Sequence, residues 1–389
     1  MNQLMLQEFH QGLGASFAEL NGAPVVNDYG DWLAEHAALC ETAGVLDLSF
    51  RSRVCLVGAD RARFLHGQVT NDVKKLRTGE GCYAAIITAK GKMECDLNIF
   101  CLADELLLDF EPGLTEKISQ RLEKYIVADD VQIVDAALHY GLLSVQGRKA
   151  DAVVRSLGLF AAIPAQALGS VKISDATLGE IYLMNHTRLL NSCRRRGDET
   201  QIKEKLETPH VVSYNFETAG FDLFVPNNAL GAVADKLIAA AKAAGGRACG
   251  WQAFETARIE AGIPRFGADM DETNIPLECG IEVRAITYTK GCYIGQEVIN
   301  RIHSVGHVNR ELRGLRLAAD LKSLPQKGGK LFHGGKEVGY VTSAVKSPLL
   351  KANIALGYVR REAGQIGGKL ALQTAAGESS VKIVELPFA

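Results

Sequence analysis

The stretch TKGCYIGQEV occupies residues 289–298 and has the most unusual local composition in the chain. Two glycines bracket a turn in which the thiol of Cys292 lies two residues after the cation of Lys290. A neighbouring cation and the N-terminus of the helix predicted over 296–302 lower the pKa of a cysteine that is exposed to solvent. A buried cysteine in a tight turn that only begins this helix is the alternative, and the spacing does not choose between the two.

Basic side chains follow this stretch, and Glu311 is the one acidic residue among them. They are Arg301, His303, His307, Arg310 and Arg313. A solvated face is the simpler interpretation, and we adopt it for His303. Clustered arginines also bind carboxylates and phosphates through paired hydrogen bonds, so Arg301 and Arg310 remain candidates for contact with an acidic ligand, an acidic protein or RNA.

An acidic segment lies upstream of the turn, over residues 258–278. Its carboxylates, which could suggest a hard cation site, are Asp269, Asp271, Glu272 and Glu278. The spacing lacks the alternating ligands and central glycine of an EF-hand loop, and turn formation explains Asp271 more simply. We therefore expect no metal site.

Asp96 is the third candidate group, because it interrupts an apolar strand predicted over 93–102. The strand follows a predicted hairpin turn at Ala89-Lys90-Gly91-Lys92. Burial raises the pKa of such a carboxyl group toward the range that is useful for proton exchange with an amine. The alternative is an ordinary ion pair with Lys90 or Lys92.

Composition places the chain among ordinary globular proteins, with 47% hydrophobic and 23% charged residues in 389. The net charge of -2 provides no global field that attracts nucleic acid or an anionic membrane. No apolar run approaches the roughly 18 to 20 residues that span a bilayer, and residues 1–14 lack the pattern of a signal peptide. We therefore expect a cytoplasmic protein. We also expect no disulfide framework, because the nine cysteines form no CxxC pair.

Hydrophobic periodicity predicts an α+β fold. Helices are predicted over 32–43, 60–66, 114–127 and 227–244, and strands over 53–57, 83–88, 93–102, 105–110 and 220–225. After Pro325 the pattern changes to short strands broken by glycines, which is typical of a small closed β domain. We predict domains at 1–140, 141–312 and 313–389, with linker character over 311–326.

These features, in this order, resemble the folate-binding T-proteins of the glycine cleavage system over nearly the whole chain. The similar segments are Thr70-Asn-Asp72, Tyr83, Asp96-Leu97, GFDL at 220–223, RIEA at 258–261, GADMDE at 267–272, EVGYVTS at 337–343 and IALGY at 354–358. Within that group, LHGQVT at 65–70 and KGCYIGQE at 290–297 are similar to the YgfZ branch. Its members support the maintenance of iron-sulfur enzymes, and are linked to tRNA modification.

The resemblance implies a three-domain arrangement around a central folate cavity, with a C-terminal β-barrel and with tetrahydrofolate or a one-carbon derivative as cofactor. By position, Asp96 matches the aspartate that faces the folate nitrogens, and Tyr83 matches a cavity aromatic. Asp222 stands in the place of a glutamate that binds the pterin ring. Glu111 falls near a polar position of the cavity. Arg258 is a further cofactor-binding candidate. The signature loop consists of Lys290, Gly291, Cys292, Tyr293, Gly295, Gln296 and Glu297.

Three functions follow as hypotheses. The first is a tetrahydrofolate-binding, YgfZ-type protein that supports iron-sulfur cluster assembly or repair, with Cys292 as a functional thiol and iron-sulfur proteins as partners. The second is an aminomethyltransferase or folate-dependent demethylase in which Asp96 is catalytic. The third, which the near-neutral charge disfavours, is a scaffold that binds RNA or protein through Arg301–Arg313.

Overall fold

The computed structural model describes residues 4–189, 219–375 and 377–388. Cys193 and the rest of residues 190–218, within the domain predicted over 141–312, lie outside these ranges. Among the described residues, no helix is both long enough and apolar enough to cross a bilayer.

Helices and strands alternate irregularly along the chain, as expected for an α+β protein. The helices are α1 (Gln7–Gly12), α2 (Trp32–Glu41), α3 (Arg61–Gln68), α4 (Thr115–Glu123), α5 (Ala150–Ser156), α6 (Leu230–Ala243), α7 (Trp251–Glu260), α8 (Glu282–Ala285) and α9 (Gln296–Val305). The strands before the barrel are β1 (Ser16–Leu20), β2 (Ala23–Asp28), β3 (Gly44–Asp47), β4 (Ser52–Val57), β5 (Gly81–Ile87), β6 (Met93–Cys101), β7 (Glu105–Phe110), β8 (Gln132–Asp135), β9 (Tyr140–Gly147), β10 (Ser170–Asp175), β11 (Gly179–Asn185), β12 (Ala219–Pro226) and β13 (Arg247–Ala248). The barrel strands are β14 (Arg310–Leu317), β15 (Lys330–His333), β16 (Lys336–Ser347), β17 (Ala352–Arg360), β18 (Lys369–Thr374) and β19 (Gly377–Val384).

Two larger sheets carry the N-terminal part of the fold, beside a small β1-β2 hairpin. One has the strand order β5-β6-β7-β4-β8, and the other has the order β10-β11-β12-β9-β3-β13. The second sheet takes β3 from the first 140 residues, so the segment 1–140 shares a sheet with the segment that follows it. The predicted division at 140/141 coincides with the first residues of β9.

The C-terminal strands close into a barrel of order β14-β17-β16-β15-β18-β19, in which β14 also pairs with β19. This confirms the predicted small β domain. The linker predicted over 311–326 is wrong in its first half, because β14 runs from Arg310 to Leu317. Its sequence RELRGLRL carries four charged residues, yet Leu312, Leu315 and Leu317 are buried. The predicted division at 312/313 therefore falls inside a strand.

The β5-β6 hairpin sets the position of Asp96. Along β6, Cys95 and Leu97 lie in the core on one face of the sheet, so the alternation of a strand places Asp96 on the other face. In the hairpin register Tyr83 pairs with Asn98 and Ala85 pairs with Asp96, which makes Tyr83 a diagonal neighbour of Asp96 on that same face. Gly91 closes the turn with a φ of 75°, as the glycine in the predicted turn requires.

The segment around Cys292 packs against this hairpin. Gly295 precedes α9 with a φ of 84°, and a Cβ at this position would lie 2.5 Å from the Thr88 carbonyl oxygen. At the other side of the turn, a Cβ on Gly91 would meet the Val298 side chain at 3.0 Å. The loop and the hairpin are therefore fixed to each other by close backbone approach.

Candidate functional site

Asp96 and Tyr83 form the centre of the site. The Tyr83 hydroxyl donates a hydrogen bond of 2.7 Å to Oδ2 of Asp96. The other carboxylate oxygen, Oδ1, is buried and has no hydrogen-bond partner among the described residues. Burial also raises the pKa of Tyr83 well above its ordinary value, so this phenol remains a donor at neutral pH. Asp96 therefore offers one free acceptor oxygen beside a fixed hydroxyl donor.

The pKa of Asp96 is raised to about 6. Burial is the main cause, and the negative charge of Glu111 adds to it. The hydrogen bond from Tyr83 and the positive charge of Arg51 act in the opposite direction. Such a carboxyl group changes protonation state close to neutral pH, which suits it to exchange a proton with a nitrogen atom.

Glu111 is close enough to influence Asp96, but its own oxygens are occupied. Arg51 donates to Oε1 at 2.5 Å, and Arg265 donates to Oε2 at 3.0 Å. Arg265 lies in turn over the indole ring of Trp251, 5.2 Å from the ring centroid. The expectation that Glu111 binds cofactor stays a prediction, and in this geometry it is an ion-pair partner of two arginines.

A buried ionic network continues from Arg51 into the second sheet. Arg51 donates to Asp109 at 2.8 Å, and Arg188 donates to the other oxygen of Asp109 at 3.0 Å. Arg188 also reaches Asp222, at 2.6 Å. Burial opposes ionisation of Asp109, but the two guanidinium groups hold the pKa of this carboxyl well below its usual range.

Asp222 is fully buried, and its carboxylate is saturated by protein donors. Arg188 contacts both of its oxygens, and Nδ1 of His186 lies 2.8 Å from Oδ2. The expectation that Asp222 contacts a pterin ring stays a prediction, and in this geometry both of its oxygens already accept from Arg188. Its role here is to hold Arg188 and His186 in place.

Arg258 likewise lies inside the protein and does not line an open site. Its guanidinium pairs with Glu255 and Asp269 and donates to the Ser343 hydroxyl at 3.0 Å. Burial alone raises the pKa of Glu255, but Arg258 and then Arg265 bring it down to about 2. The expectation that Arg258 binds cofactor stays a prediction, and in this geometry its guanidinium joins α7 to the barrel strand β16 through Ser343.

The signature loop is held by Lys290. Its ammonium group donates to the carbonyl oxygens of His66, Val69 and Asn71 at 2.6, 2.6 and 2.9 Å. Burial lowers the pKa of Lys290 to about 8. The cation is thus directed into the protein and anchors the loop, and its expected effect on the thiol of Cys292 stays a prediction.

The thiol itself is exposed. Cys292 is accessible to solvent, which decides against the alternative of a buried turn cysteine. Tyr293 is buried beneath it, with its ring 4.7 Å from the Lys290 ammonium. Gln296 and Glu297 begin α9 as predicted, with Glu297 in the first turn.

Other charged groups from the sequence analysis are mostly paired within the protein. Glu278 accepts from Arg310 at 3.2 Å, and His303 lies 2.9 Å from Glu282. Asp271 caps its own turn by accepting from the Thr273 amide at 2.9 Å. These pairs favour the structural interpretation of the acidic segment and of His303.

Sequence reasoning missed the arginines of the ionic network. Arg51, Arg188 and Arg265 are far apart in sequence, and their convergence depends on the folded sheets. The signal that could have revealed them is Asp109, a carboxylate within the apolar run ELLLDF at 105–110. A charge buried in such a strand requires a cationic partner.

Comparisons with known proteins agree with this architecture. The GCVT N-terminal domain matches residues 6–187 and 210–290, and the glycine cleavage T-protein C-terminal barrel domain matches residues 310–389. The aminomethyltransferase of Halalkalibacterium halodurans is 26% identical, with 98% of this chain and 96% of the relative covered. That of Bacillus subtilis strain 168 is also 26% identical, with 98% of both chains covered.

A solved structure shows the same fold. The crystal structure of glycine cleavage system aminomethyltransferase T from Bartonella henselae superposes with a TM-score of 0.83 at 21% identity, covering 100% of this chain and 98% of that one. The expected T-protein-like α+β fold with a closed C-terminal barrel is thereby confirmed. On the extent of the family match, this chain belongs to the glycine cleavage T-protein superfamily.

Proposed function

We propose that the protein binds tetrahydrofolate or a one-carbon derivative and takes part in folate-dependent aminomethyl transfer through Asp96. The observation that carries this proposal is the buried Oδ1 of Asp96, which has no partner among the described residues. An unsatisfied buried acceptor is costly unless a ligand donates to it. The names of the full-length relatives support the same chemistry.

The residues present fit a reduced folate at this point. Tetrahydrofolate supplies the carrier nitrogens for a one-carbon unit, and its N–H groups are donors of the kind that Oδ1 lacks. Tyr83 fixes the orientation of the carboxylate through Oδ2, and the Arg284 guanidinium lies 5.1 Å from the centroid of the Tyr83 ring. Asp96 would hold or accept a proton at Oδ1, since its pKa of about 6 keeps it mainly ionised at neutral pH.

Calorimetric titration of tetrahydrofolate into wild type, Asp96→Asn and Asp271→Asn tests the proposal. The amide introduced by Asp96→Asn cannot accept a proton. We therefore expect weaker binding of tetrahydrofolate in the titration. In a separate assay, we expect the rate of methylene-tetrahydrofolate formation to fall by at least about tenfold. Asp271→Asn alters a capped surface turn and should behave as wild type. Equal binding and equal rates in all three proteins would remove Asp96 from the site.

The exposed Cys292 supports a second candidate, the YgfZ-type role in iron-sulfur enzyme maintenance. Because the thiol is on the surface, it is accessible to a partner protein or an electrophile. The test is a host that produces Cys292→Ser in place of wild type, in which the activity of iron-sulfur enzymes is measured. Unchanged activity would exclude the thiol from that role, while folate binding by Asp96 would be unaffected.

A further inference from the structure

A buried cluster of metal-ligating side chains lies between α2 and α7. Its members are His36 and Cys40 of α2 and Glu260 of α7, which are 3%, 4% and 1% exposed. One donor atom from each residue lies within 4.8 Å of the donor atoms of the other two. None of the four carboxylates considered above as cation ligands belongs to this cluster. Neither the folate site nor the ionic network through Arg51 uses it.

The spacing and the distances within the cluster suit a single ion. His36 and Cys40 are four residues apart, so both lie on one face of α2. Sγ of Cys40 lies 3.8 Å from Nε2 of His36, and Oε2 of Glu260 lies 2.6 Å from that nitrogen. Zinc bonds of about 2.0 to 2.3 Å set roughly 3.3 to 3.6 Å between two ligand atoms. The sulfur is already close to that separation, and the carboxylate needs to withdraw by roughly 0.7 Å as the ion replaces the hydrogen between them.

The barrel orients the carboxylate of this cluster. The Ser347 hydroxyl at the end of β16 donates to Oε1 of Glu260 at 2.5 Å, and it accepts from the Leu350 amide at 2.9 Å. Oε2 of Glu260 is thereby directed at His36. Hydrogen bonds that orient a ligating carboxylate typically contribute about 10- to 100-fold to the affinity of a metal site.

We propose that His36, Cys40 and Glu260 bind a zinc ion that joins α2 to α7 and, through Ser347, to the barrel. A thiolate, an imidazole and a carboxylate are the donor types that zinc takes in proteins, and a water molecule completes the tetrahedron. Binding releases the Cys40 thiol proton and requires Nε2 of His36 to be without a proton. The thiolate and the carboxylate then balance the two positive charges of the ion, so the buried complex carries no net charge. The proposal is independent of folate binding by Asp96.

Cobalt(II) serves as the spectroscopic probe for this site. The full chain, with Cys193→Ser and Cys292→Ser to remove two thiols outside the cluster, is unfolded with reductant and chelator, freed of the chelator, and refolded with or without CoCl2. A cobalt–thiolate bond gives a charge-transfer band in the near ultraviolet, which zinc should abolish because it binds more tightly than cobalt. We expect one ion per chain. The urea midpoint should rise with metal, because the ion binds the native state.

Variants of the ligands locate the ion. Cys40→Ser should remove the charge-transfer band, and His36→Gln and Glu260→Gln should each weaken binding by more than about 100-fold. Ser347→Ala keeps all three ligands and should weaken binding about tenfold. Cys55→Ser, at a buried thiol of β4 outside the cluster, is the matched control and should keep the band.

Circular dichroism of each metal-free variant establishes that it folds before metal is added. The ligand variants are separate tests, so a variant that does not fold leaves the others to decide. The proposal is overturned if refolding with cobalt gives no charge-transfer band, or if folded Cys40→Ser keeps the band. An equal urea midpoint with and without metal overturns it as well.

Discussion

The carboxylate of Asp96 lies among groups that move its pKa in opposite directions. Burial and Glu111 raise it, whereas Tyr83 and Arg51 lower it. Glu111 is therefore a group through which the proton affinity of Asp96 can be changed without touching Asp96 itself. Its position in an ion pair with Arg51 makes the direction of the change unambiguous, because removing Glu111 also releases the positive charge of Arg51.

Glu111→Gln should lower the pKa of Asp96. The loss of a nearby negative charge stabilises the ionised carboxylate, so the acidic limb of the pH profile for the proposed aminomethyl transfer should move to a lower pH than in wild type. Glu116→Gln, on the exposed side of α4, provides the control. A midpoint that stays in place, or that moves upward, would contradict the proposed electrostatics.

Asp96→Asn should stabilise the folded protein at neutral pH. A carboxyl group whose pKa is raised on folding destabilises the native state once it is ionised. This cost is present at pH 7, and it is absent below the ordinary pKa of 3.8 that the group has in the unfolded chain. We expect a gain on the order of 1 to 3 kcal/mol at pH 7 that disappears by about pH 4. Urea unfolding at both pH values measures it, and an equal effect at both would show that ionisation is not responsible.

Single residues were predictable from the sequence to different degrees. Asp96 stood out because a carboxylate in an apolar strand is unusual, and the structure places it beside Tyr83 in the register of one hairpin. Asp222 carries the same signal, yet its partners Arg188 and His186 satisfy it completely. Sequence pattern identifies a buried charge, but it does not show whether protein or ligand neutralises it.

At the level of elements, the contact between the signature loop and the β5-β6 hairpin depends on glycine. Gly295 has a positive φ and no space for a side chain, because the Thr88 carbonyl oxygen blocks the Cβ position. A tight approach of this kind fixes the loop relative to the strand that carries Asp96. The hairpin that carries Asp96 therefore packs directly against the loop that carries Cys292.

Gly295→Ala should disrupt this contact. The positive φ alone costs about 1 to 2 kcal/mol for an L-residue, and the clash with Thr88 adds to it, so we expect a total loss of about 3 kcal/mol or more. Gly280→Ala isolates the first cost, because Gly280 has a φ of 72° and nothing within 4 Å of its Cβ position. The free energy of unfolding is measured for both variants. Equal losses would contradict the role of the Thr88 contact.

Hydrophobic periodicity predicts the helices and strands that have a clear apolar pattern. It misses elements in which charged residues interrupt that pattern. The strands over 105–110 and 220–225 are confirmed in β7 and β12, and the helix over 32–43 is confirmed as α2. The linker prediction fails at β14 because the polar residues, proline and glycine that indicated a linker lie over 320–328, after this strand has ended. The placement of β3 beside β9 was beyond prediction, since pairing between distant strands leaves no local pattern.

Over the whole molecule, buried ion pairs join elements that are distant in the sequence. The network through Arg51, Asp109 and Arg188 links β7 of one sheet to β12 of the other. On the far side, Nε2 of His36 on α2 lies 2.6 Å from Glu260 on α7, and Glu260 accepts from Ser347 of the barrel strand β16. The contacts of Arg188 with Asp109 and of Glu260 with His36 and Ser347 form only when these parts of the chain are correctly packed.

Asp109→Asn should destabilise the whole protein. Removing one charge from a buried pair leaves Arg51 and Arg188 undercompensated, which costs about 3 to 5 kcal/mol. Asp151→Asn, which breaks the exposed pair with Arg155 on α5, should cost less than about 0.5 kcal/mol. Urea unfolding of both variants makes the comparison, and a small loss in Asp109→Asn would show that the network contributes little to docking.

The closed barrel has a consequence for the synthesis and folding of the protein in cells. Because β14 pairs with β17 on one side and with β19 on the other, the ring of strands is completed only by the last part of the chain, Gly377–Val384. A truncated chain that ends before residue 377 lacks β19, so one backbone edge of β14 and one of β18 remain unpaired. Such edges pair with strands of other molecules. Premature termination should therefore yield inclusion bodies and not a slightly shorter soluble protein.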